Sequence, residues 1–65
     1  MISFKNRLVL ITGSTSGIGK AITLQLAKEE AKLIIADRNE FDLNKTKEEC
    51  LKHTSFCEII TFDLS

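Results

Sequence analysis

The sequence predicts an α/β fold in which a parallel sheet of three strands carries two helices, in the order βαβαβ. Three observations predict it. Short apolar runs at 8–12, 32–37 and 57–62 alternate with stretches of helical character, and strands that alternate with helices at this spacing pair in parallel through crossovers. A loop of small residues, Gly13-Ser14-Thr15-Ser16-Gly17, joins the first run to the first helix. The second and third runs end abruptly on an acid, Asp37 and Asp63.

Leu8-Val9-Leu10-Ile11-Thr12 follows Arg7 and is stopped by Gly13; a continuous apolar run of this kind is a strand covered on both faces. From Gly17 the pattern turns helical. Ile18, Ala21, Ile22 and Leu26 share a stripe at i, i+3, i+4 and i+8, with Lys20, Gln25, Lys28 and Glu29 on the outer side. This helix is expected to end near Glu30-Ala31. Lys32-Leu33-Ile34-Ile35-Ala36-Asp37 is the second strand. Asn39 suits an N-cap, with Glu40 and Asp42 placed in the first turn of a helix over 40–52. Leu43, Cys50 and Leu51 form its thin apolar face, Glu48 and Lys52 are spaced to pair, and Thr54-Ser55 breaks it. Cys57-Glu58-Ile59-Ile60-Thr61-Phe62 is the third strand.

Right-handed crossovers that add the second and third strands on the same side of the first give the strand order 3-2-1 and put both helices on one face. The apolar runs ask for cover on both faces. Each exposed Leu, Ile or Val forfeits about 1.5–3 kcal/mol relative to burial, and open sheet edges invite aggregation. Residues 1–65 are therefore expected to be the incomplete N-terminal portion of a larger doubly wound domain. The absence of proline, repeats and linker-like stretches gives no internal boundary.

Composition excludes several classes. With 9 Lys+Arg against 9 Asp+Glu the net charge is zero, and no basic stripe suits nucleic acid or a membrane surface. No apolar run approaches the roughly 20 residues that span a bilayer, and Met1 to Arg7 lacks the apolar core of a secretory signal. A hydrophobic fraction of 43% is that of a globular chain. The two cysteines then point to a reduced, cytoplasmic setting. Cys50, His53 and Cys57 lack a fourth ligand and a tight cysteine pair, so they are expected to be two buried thiols and a surface histidine, with no metal.

The loop carries the chemistry. A helix N-terminus offers unpaired N–H groups and partial positive charge, and so attracts phosphate. Gly13 lets the chain turn off the strand, Gly17 lets backbone approach a pyrophosphate, and Gly19 lets the helix pack closely. The amides around Ser16 to Ile18 are the expected donors, helped by the hydroxyls of Ser14, Thr15 and Ser16, which also suit helix caps. Asp37 lies about 20 residues beyond the glycines, where a carboxylate accepts bonds from an adenosine ribose. A bare βα turn with Ser/Thr caps is the plainer alternative; the coincidence of strand, helix and acid favours dinucleotide binding. Gly19-Lys20 resembles the end of an NTPase phosphate loop, but that motif needs glycine at 14 and Ser/Thr at 21, where this chain has Ser14 and Ala21.

The segment Thr12-Gly13-x-x-x-Gly17-Ile18-Gly19 resembles the cofactor fingerprint of the short-chain dehydrogenase/reductase family, a Rossmann-like fold. Phe4-Lys5-Asn6-Arg7 resembles that family's lead-in, Ala36-Asp37-Arg38-Asn39-Glu40 its second strand end, and Phe62-Asp63-Leu64-Ser65 a third element. The resemblance implies NAD(P) binding by the loop Gly13 to Gly19, with Ser16 and Ile18 along the pyrophosphate, Asp37 at the adenosine ribose with Arg38 next to it, and Asp63 with Leu64 at the adenine. Asp37 accepts from a 2′-hydroxyl and repels a 2′-phosphate, and Ser16 stands where NADP users often carry a basic residue; NAD is the expected cofactor. Arg38 points the other way, toward NADP, unless it stacks on the adenine or sits in solvent.

Two departures from the family stand out. Glu30 occupies a common glycine position and, with Glu29, puts negative charge at the negative end of a helix dipole, with Lys28 and Lys32 near enough to offset it. The family's catalytic Tyr-x-x-x-Lys, serine and asparagine lie downstream, and this chain contains no tyrosine. The resemblance thus implies an oxidoreductase acting on a small-molecule alcohol or carbonyl, a homo-oligomer when complete, whose catalytic residues and substrate pocket lie outside these residues; alone they would be inactive. A truncated, non-enzymatic nucleotide-binding or interaction module of the same ancestry is the alternative.

Overall fold

A computed structural model describes residues 4–62. Strand β1 (Leu8–Thr12), helix α1 (Gly17–Lys28), strand β2 (Lys32–Asp37), helix α2 (Glu40–Cys50) and strand β3 (Cys57–Thr61) follow one another. The strands are all parallel, with β2 between β1 and β3, which is the expected 3-2-1 order. The third strand stops at Thr61, one residue short of expectation, and the helices end at Lys28 and Cys50.

Register explains the two faces of the sheet. Val9 pairs with Leu33 and Leu33 with Cys57; Ile11 pairs with Ile35 and Ile35 with Ile59. Successive side chains alternate across a strand, so these six share one face. Leu33 and Ile35 are wholly buried there, in a core with Ala27, Ala31, Leu43, Cys50 and Cys57. Both helices pack on that core and on each other. The opposite face carries Leu8 at 64% exposed, Leu10 at 61% and Ile60 at 49%. One face is covered and the other bare, as right-handed crossovers require.

Of the apolar stripe expected of α1, Leu26 packs against the core but Ile18 and Ile22 do not. Ile18 is 80% exposed and Ile22 49%, whereas Thr23 and Ala27 are buried. The reason is steric and topological. Gly19, Thr23 and Ala27, at i, i+4 and i+8, let α1 lie close, and β1 is the edge strand, so nothing of the sheet lies beyond it to cover Ile18 and Ile22. On α2, Leu43 and Cys50 are buried as expected, but Thr46 joins them and Leu51 is 44% exposed. The pair expected along α2, Glu48 with Lys52, is not among the ion pairs of the described residues; α2 pairs instead with other elements through different residues, Lys47 to Glu58 at 3.8 Å and Glu49 to Lys20 at 3.7 Å.

Two helix ends show how local chemistry sets the chain path. Asn39 caps α2, its side-chain oxygen accepting from the Asp42 amide at 3.1 Å, with Glu40 and Asp42 in the first turn. After α1, Glu30 takes a left-handed φ of 64°. Its amide donates to Ala27 O at 2.9 Å, and that of Ala31 to Leu26 O at 3.1 Å, closing a Schellman motif with glutamate where glycine is usual. Its charge is met by Lys5 at 3.7 Å rather than by Lys28 or Lys32, and the lead-in turn docks there, the Asn6 amide donating to Glu30 O. The buried Thr54 hydroxyl donates to Ala31 O and ties this turn to the connection before β3.

Cys50 and Cys57 are free and buried, and His53 is exposed, as expected. The neighbouring Cys57 thiol, together with burial, pushes the Cys50 thiol far above its ordinary range, so it is an inert core group. No helix among the described residues is long and apolar enough to cross a membrane.

These contacts make two stability predictions, each measured by urea unfolding. Leu33→Ala is expected to cost about 2–5 kcal/mol by opening a cavity, while Leu10→Ser in the same 65-residue chain changes stability by less than about 0.5 kcal/mol. Glu30→Gly is expected to stabilise by roughly 0.5–1 kcal/mol, because the left-handed cost of about 1–2 kcal/mol outweighs glycine's larger unfolded-state entropy.

Candidate functional site

The β1–β2 ladder continues past Thr12: the Gly13 amide donates to Ala36 O at 3.0 Å. The glycine loop therefore leaves the sheet beside the end of β2, where Asp37 stands. Gly13 and Gly17 have φ of 65° and 56°, the left-handed region that glycine enters at least cost. A Cβ at either would meet no protein atom within 4 Å, so the backbone there borders open space. Gly19 serves a different purpose. A Cβ on it would lie 2.0 Å from the Gly13 carbonyl oxygen. The close approach expected of this glycine is thus to the loop's own first carbonyl.

The hydroxyls do not cap α1. Ser16 holds the N-cap position with extended backbone and makes no side-chain cap bond, and the first turn carries no acid. Ser14 is buried and donates to Ala36 O at 3.5 Å. Thr15 turns to Asp37: its hydroxyl donates to Oδ2 at 2.7 Å and its amide to the same oxygen at 3.2 Å. The sequence places these residues 22 positions apart, which hides their meeting from any local pattern. The hydroxyls of Ser14 and Thr15 thus fasten the loop to β2, and no N-cap side chain is bonded to the first-turn amides of α1. Such a terminus binds anions.

Asp37 is held from both sides. Its Oδ1 accepts from the Arg38 amide at 2.7 Å. The Thr15 hydroxyl, then the Arg38 amide, hold its carboxyl below the ordinary 3.8 against a smaller opposing effect of burial, with the Thr15 amide and the Arg38 charge adding to the lowering. It is an anion at neutral pH.

Thr15, Ser16, Asp37, Arg38 and Asn39, with Glu40 and Asp42 from the first turn of α2, line a cleft of about 620 Å³. That size is in the range of small-molecule and cofactor sites. Three carboxylates and one guanidinium face it. The donor set fits a dinucleotide: open backbone beside glycines and uncapped amides for phosphates, and an anchored carboxylate for ribose hydroxyls. Of the residues expected to bind cofactor, Gly13, Ser14, Thr15, Ser16, Gly17, Ile18 and Gly19 form the loop and first turn, and Asp37 and Arg38 adjoin it; Asp63 and Leu64 lie outside the described residues. Asn39, Glu40 and Asp42 were legible as cap and dipole partners but not as cleft walls, because a cap signal does not reveal what its helix end faces.

The sequence profile of the short chain dehydrogenase family matches residues 7–65. The chain is 48% identical over 48 residues to the uncharacterized oxidoreductase YvaG of Bacillus subtilis, an overlap of 74% of this chain and 18% of that protein. It is 40% identical over 58 residues to levodione reductase of Leifsonia aquatica, covering 89% of this chain and 22% of that one. The structure of L-sorbose reductase from Gluconobacter frateurii, complexed with NADPH and L-sorbose, superposes with a TM-score of 0.87 at 29% identity, over 94% of this chain and 24% of that one. A short chain dehydrogenase of Shigella flexneri complexed with NADP gives 0.83 at 28% identity, over 95% and 27%. The chain spans about a fifth of the length of the curated relatives it matches.

Two measurements check this geometry. In an NMR titration the Asp37 carboxyl is expected to titrate below 3.8. A depressed carboxylate stabilises the fold above its unfolded pKa, and that contribution is lost as pH falls through the folded value; Asp37→Asn removes this part of the acid dependence. Gly19→Ala, which forces a methyl against the Gly13 carbonyl, is expected to cost about 1–3 kcal/mol in thermal unfolding.

Proposed function

The chain belongs to the short chain dehydrogenase family, and from that premise we propose that residues 1–65 are the N-terminal, dinucleotide-binding part of an NAD-dependent oxidoreductase. The observation that carries the reading is the pairing of an uncapped α1 N-terminus with an anchored anionic Asp37 across one cleft. The amides around Ser16 to Ile18 would hold the pyrophosphate without a counter-charge of their own. Asp37 would accept from the adenosine ribose, and Asp63 with Leu64 would meet the adenine. The bound nicotinamide gives or takes a hydride; what these residues contribute is grip and orientation.

Two of the solved relatives hold NADPH or NADP. Charge favours NAD here. Asp37, Glu40 and Asp42 line the cleft against the single cation Arg38, and Ser16 brings no positive charge to the loop. A 2′-phosphate would enter a field of its own sign. The exposed Leu8, Leu10 and Ile60, with Ile18 and Ile22 beyond the edge of the sheet, support the reading of this chain as part of a larger domain. The proposed complete protein is cytoplasmic, acts on a small alcohol or carbonyl compound through residues downstream, and assembles with copies of itself.

Calorimetric titration with the two dinucleotides tests the cofactor reading. NAD is expected to bind more tightly than NADP. Asp37→Ala removes bonds to a charged acceptor, each contributing about 1.5–3 kcal/mol, and is expected to weaken NAD by roughly tenfold or more while NADP loses less. Equal losses for both would refute the role given to Asp37.

A further inference from the structure

Asp37 does not stand alone at the edge of the cleft. Thr15 places two donors on one of its oxygens, the hydroxyl at 2.7 Å and the amide at 3.2 Å, and the Arg38 amide holds the other oxygen at 2.7 Å. Three fixed donors leave the carboxylate no freedom to swing toward a ligand or away from it. A threonine hydroxyl has a single hydrogen and two lone pairs. Here the hydrogen is committed at short range to an anion, so what Oγ1 can offer the cleft is lone pairs only. The same side chain thus aims Asp37 and becomes an acceptor beside it. Both oxygen groups then call for a donor.

We propose that Thr15 is a specificity-determining residue of the dinucleotide site, which fixes the Asp37 carboxylate and turns its own hydroxyl into an acceptor, so that the cleft selects a ribose bearing a free 2′-hydroxyl over one bearing a 2′-phosphate. The inference rests on the reading of Asp37 as the ribose partner. A 2′-hydroxyl brings the donor that these acceptors lack. A 2′-phosphate brings only acceptors and negative charge, and meets Glu40 and Asp42 as well. Arg38 is the single lining cation that could answer it. Preorganisation adds to the effect, because a carboxylate already held in place loses little freedom when the ribose arrives. Thr15 is in this sense a positioning residue for Asp37 and a direct neighbour of the ribose.

The test compares the protein with its Thr15→Val and Thr15→Ser variants. Valine keeps the shape and the backbone amide but removes the hydroxyl; serine restores it. Dissociation constants for NAD and NADP are measured by calorimetry, and the Asp37 carboxyl is titrated by NMR without ligand. Thr15→Val is expected to weaken NAD by about five- to tenfold while NADP changes by less than about twofold, and to raise the Asp37 titration point toward 3.8. Thr15→Ser is expected to stay within about twofold of the parent for both dinucleotides. Equal weakening of NAD and NADP by Thr15→Val, or failure of serine to restore the ratio, overturns the proposal, since either would mean that Thr15 merely holds the loop. Should valine not fold, Thr15→Ala serves the same comparison. Asp37→Ala separates the two levels: if it shifts the NAD to NADP ratio and Thr15→Val does not, the Thr15 role alone falls. If Asp37→Ala does not shift the ratio, the ribose assignment falls and the Thr15 role with it.

Discussion

Gly19 lies so near the carbonyl of Gly13 that the first turn of α1 and the last residue off β1 are pressed backbone to backbone. Only a residue without a side chain permits that approach, and the rest of the site depends on it. With the helix start drawn down to the strand end, the loop between them must bulge outward through two left-handed glycines. The bulge carries Thr15 sideways to Asp37 and leaves the amides of the first turn facing out. One steric constraint thereby sets both halves of a binding cleft: the positive end of a helix and the acid that stands across from it.

Each polar group in this region is committed in a way that leaves its neighbours available. Ser14 spends its hydroxyl on Ala36, and Thr15 spends its own on Asp37, so neither competes for the helix amides. Asn39, by contrast, does cap its helix, and the acids that follow complement the α2 dipole. Of two helices that begin at the same end of the sheet, one is sealed by its own side chains and the other left open. That contrast gives the cleft its polarity, with phosphate-seeking amides on one side and a carboxylate-lined wall on the other.

The helices cover one face of the sheet only. Val9, Ile11, Leu33, Ile35, Cys57 and Ile59 share the face that the helices cover, while Leu8, Leu10 and Ile60 face outward on the other. The side of α1 beyond the edge strand is likewise uncovered, with Ile18 and Ile22 exposed. Leu8 and Leu10 lie on β1, and Ile18 and Ile22 lie beyond that edge strand. The same strand anchors the loop, so the site stands beside these exposed apolar residues.

The strands, their parallel order and the glycine loop were legible in the residues themselves, because a continuous apolar run, a cap residue and a glycine each state a local requirement that few backbones meet. The acid at the end of β2 was legible by its distance from the glycines. The buried face of α1 was not: Ile18 and Ile22 carry the strongest apolar signal, yet Thr23 and Ala27 are buried, because burial depends on what lies beneath a helix and the sheet ends at β1. Nor could the sequence say where the loop's hydroxyls would turn. A cap on α1 and a bond to Asp37 were both open to Thr15 by its chemistry. Parallel pairing, by bringing the end of β2 alongside the end of β1, decided for the residue 22 positions away.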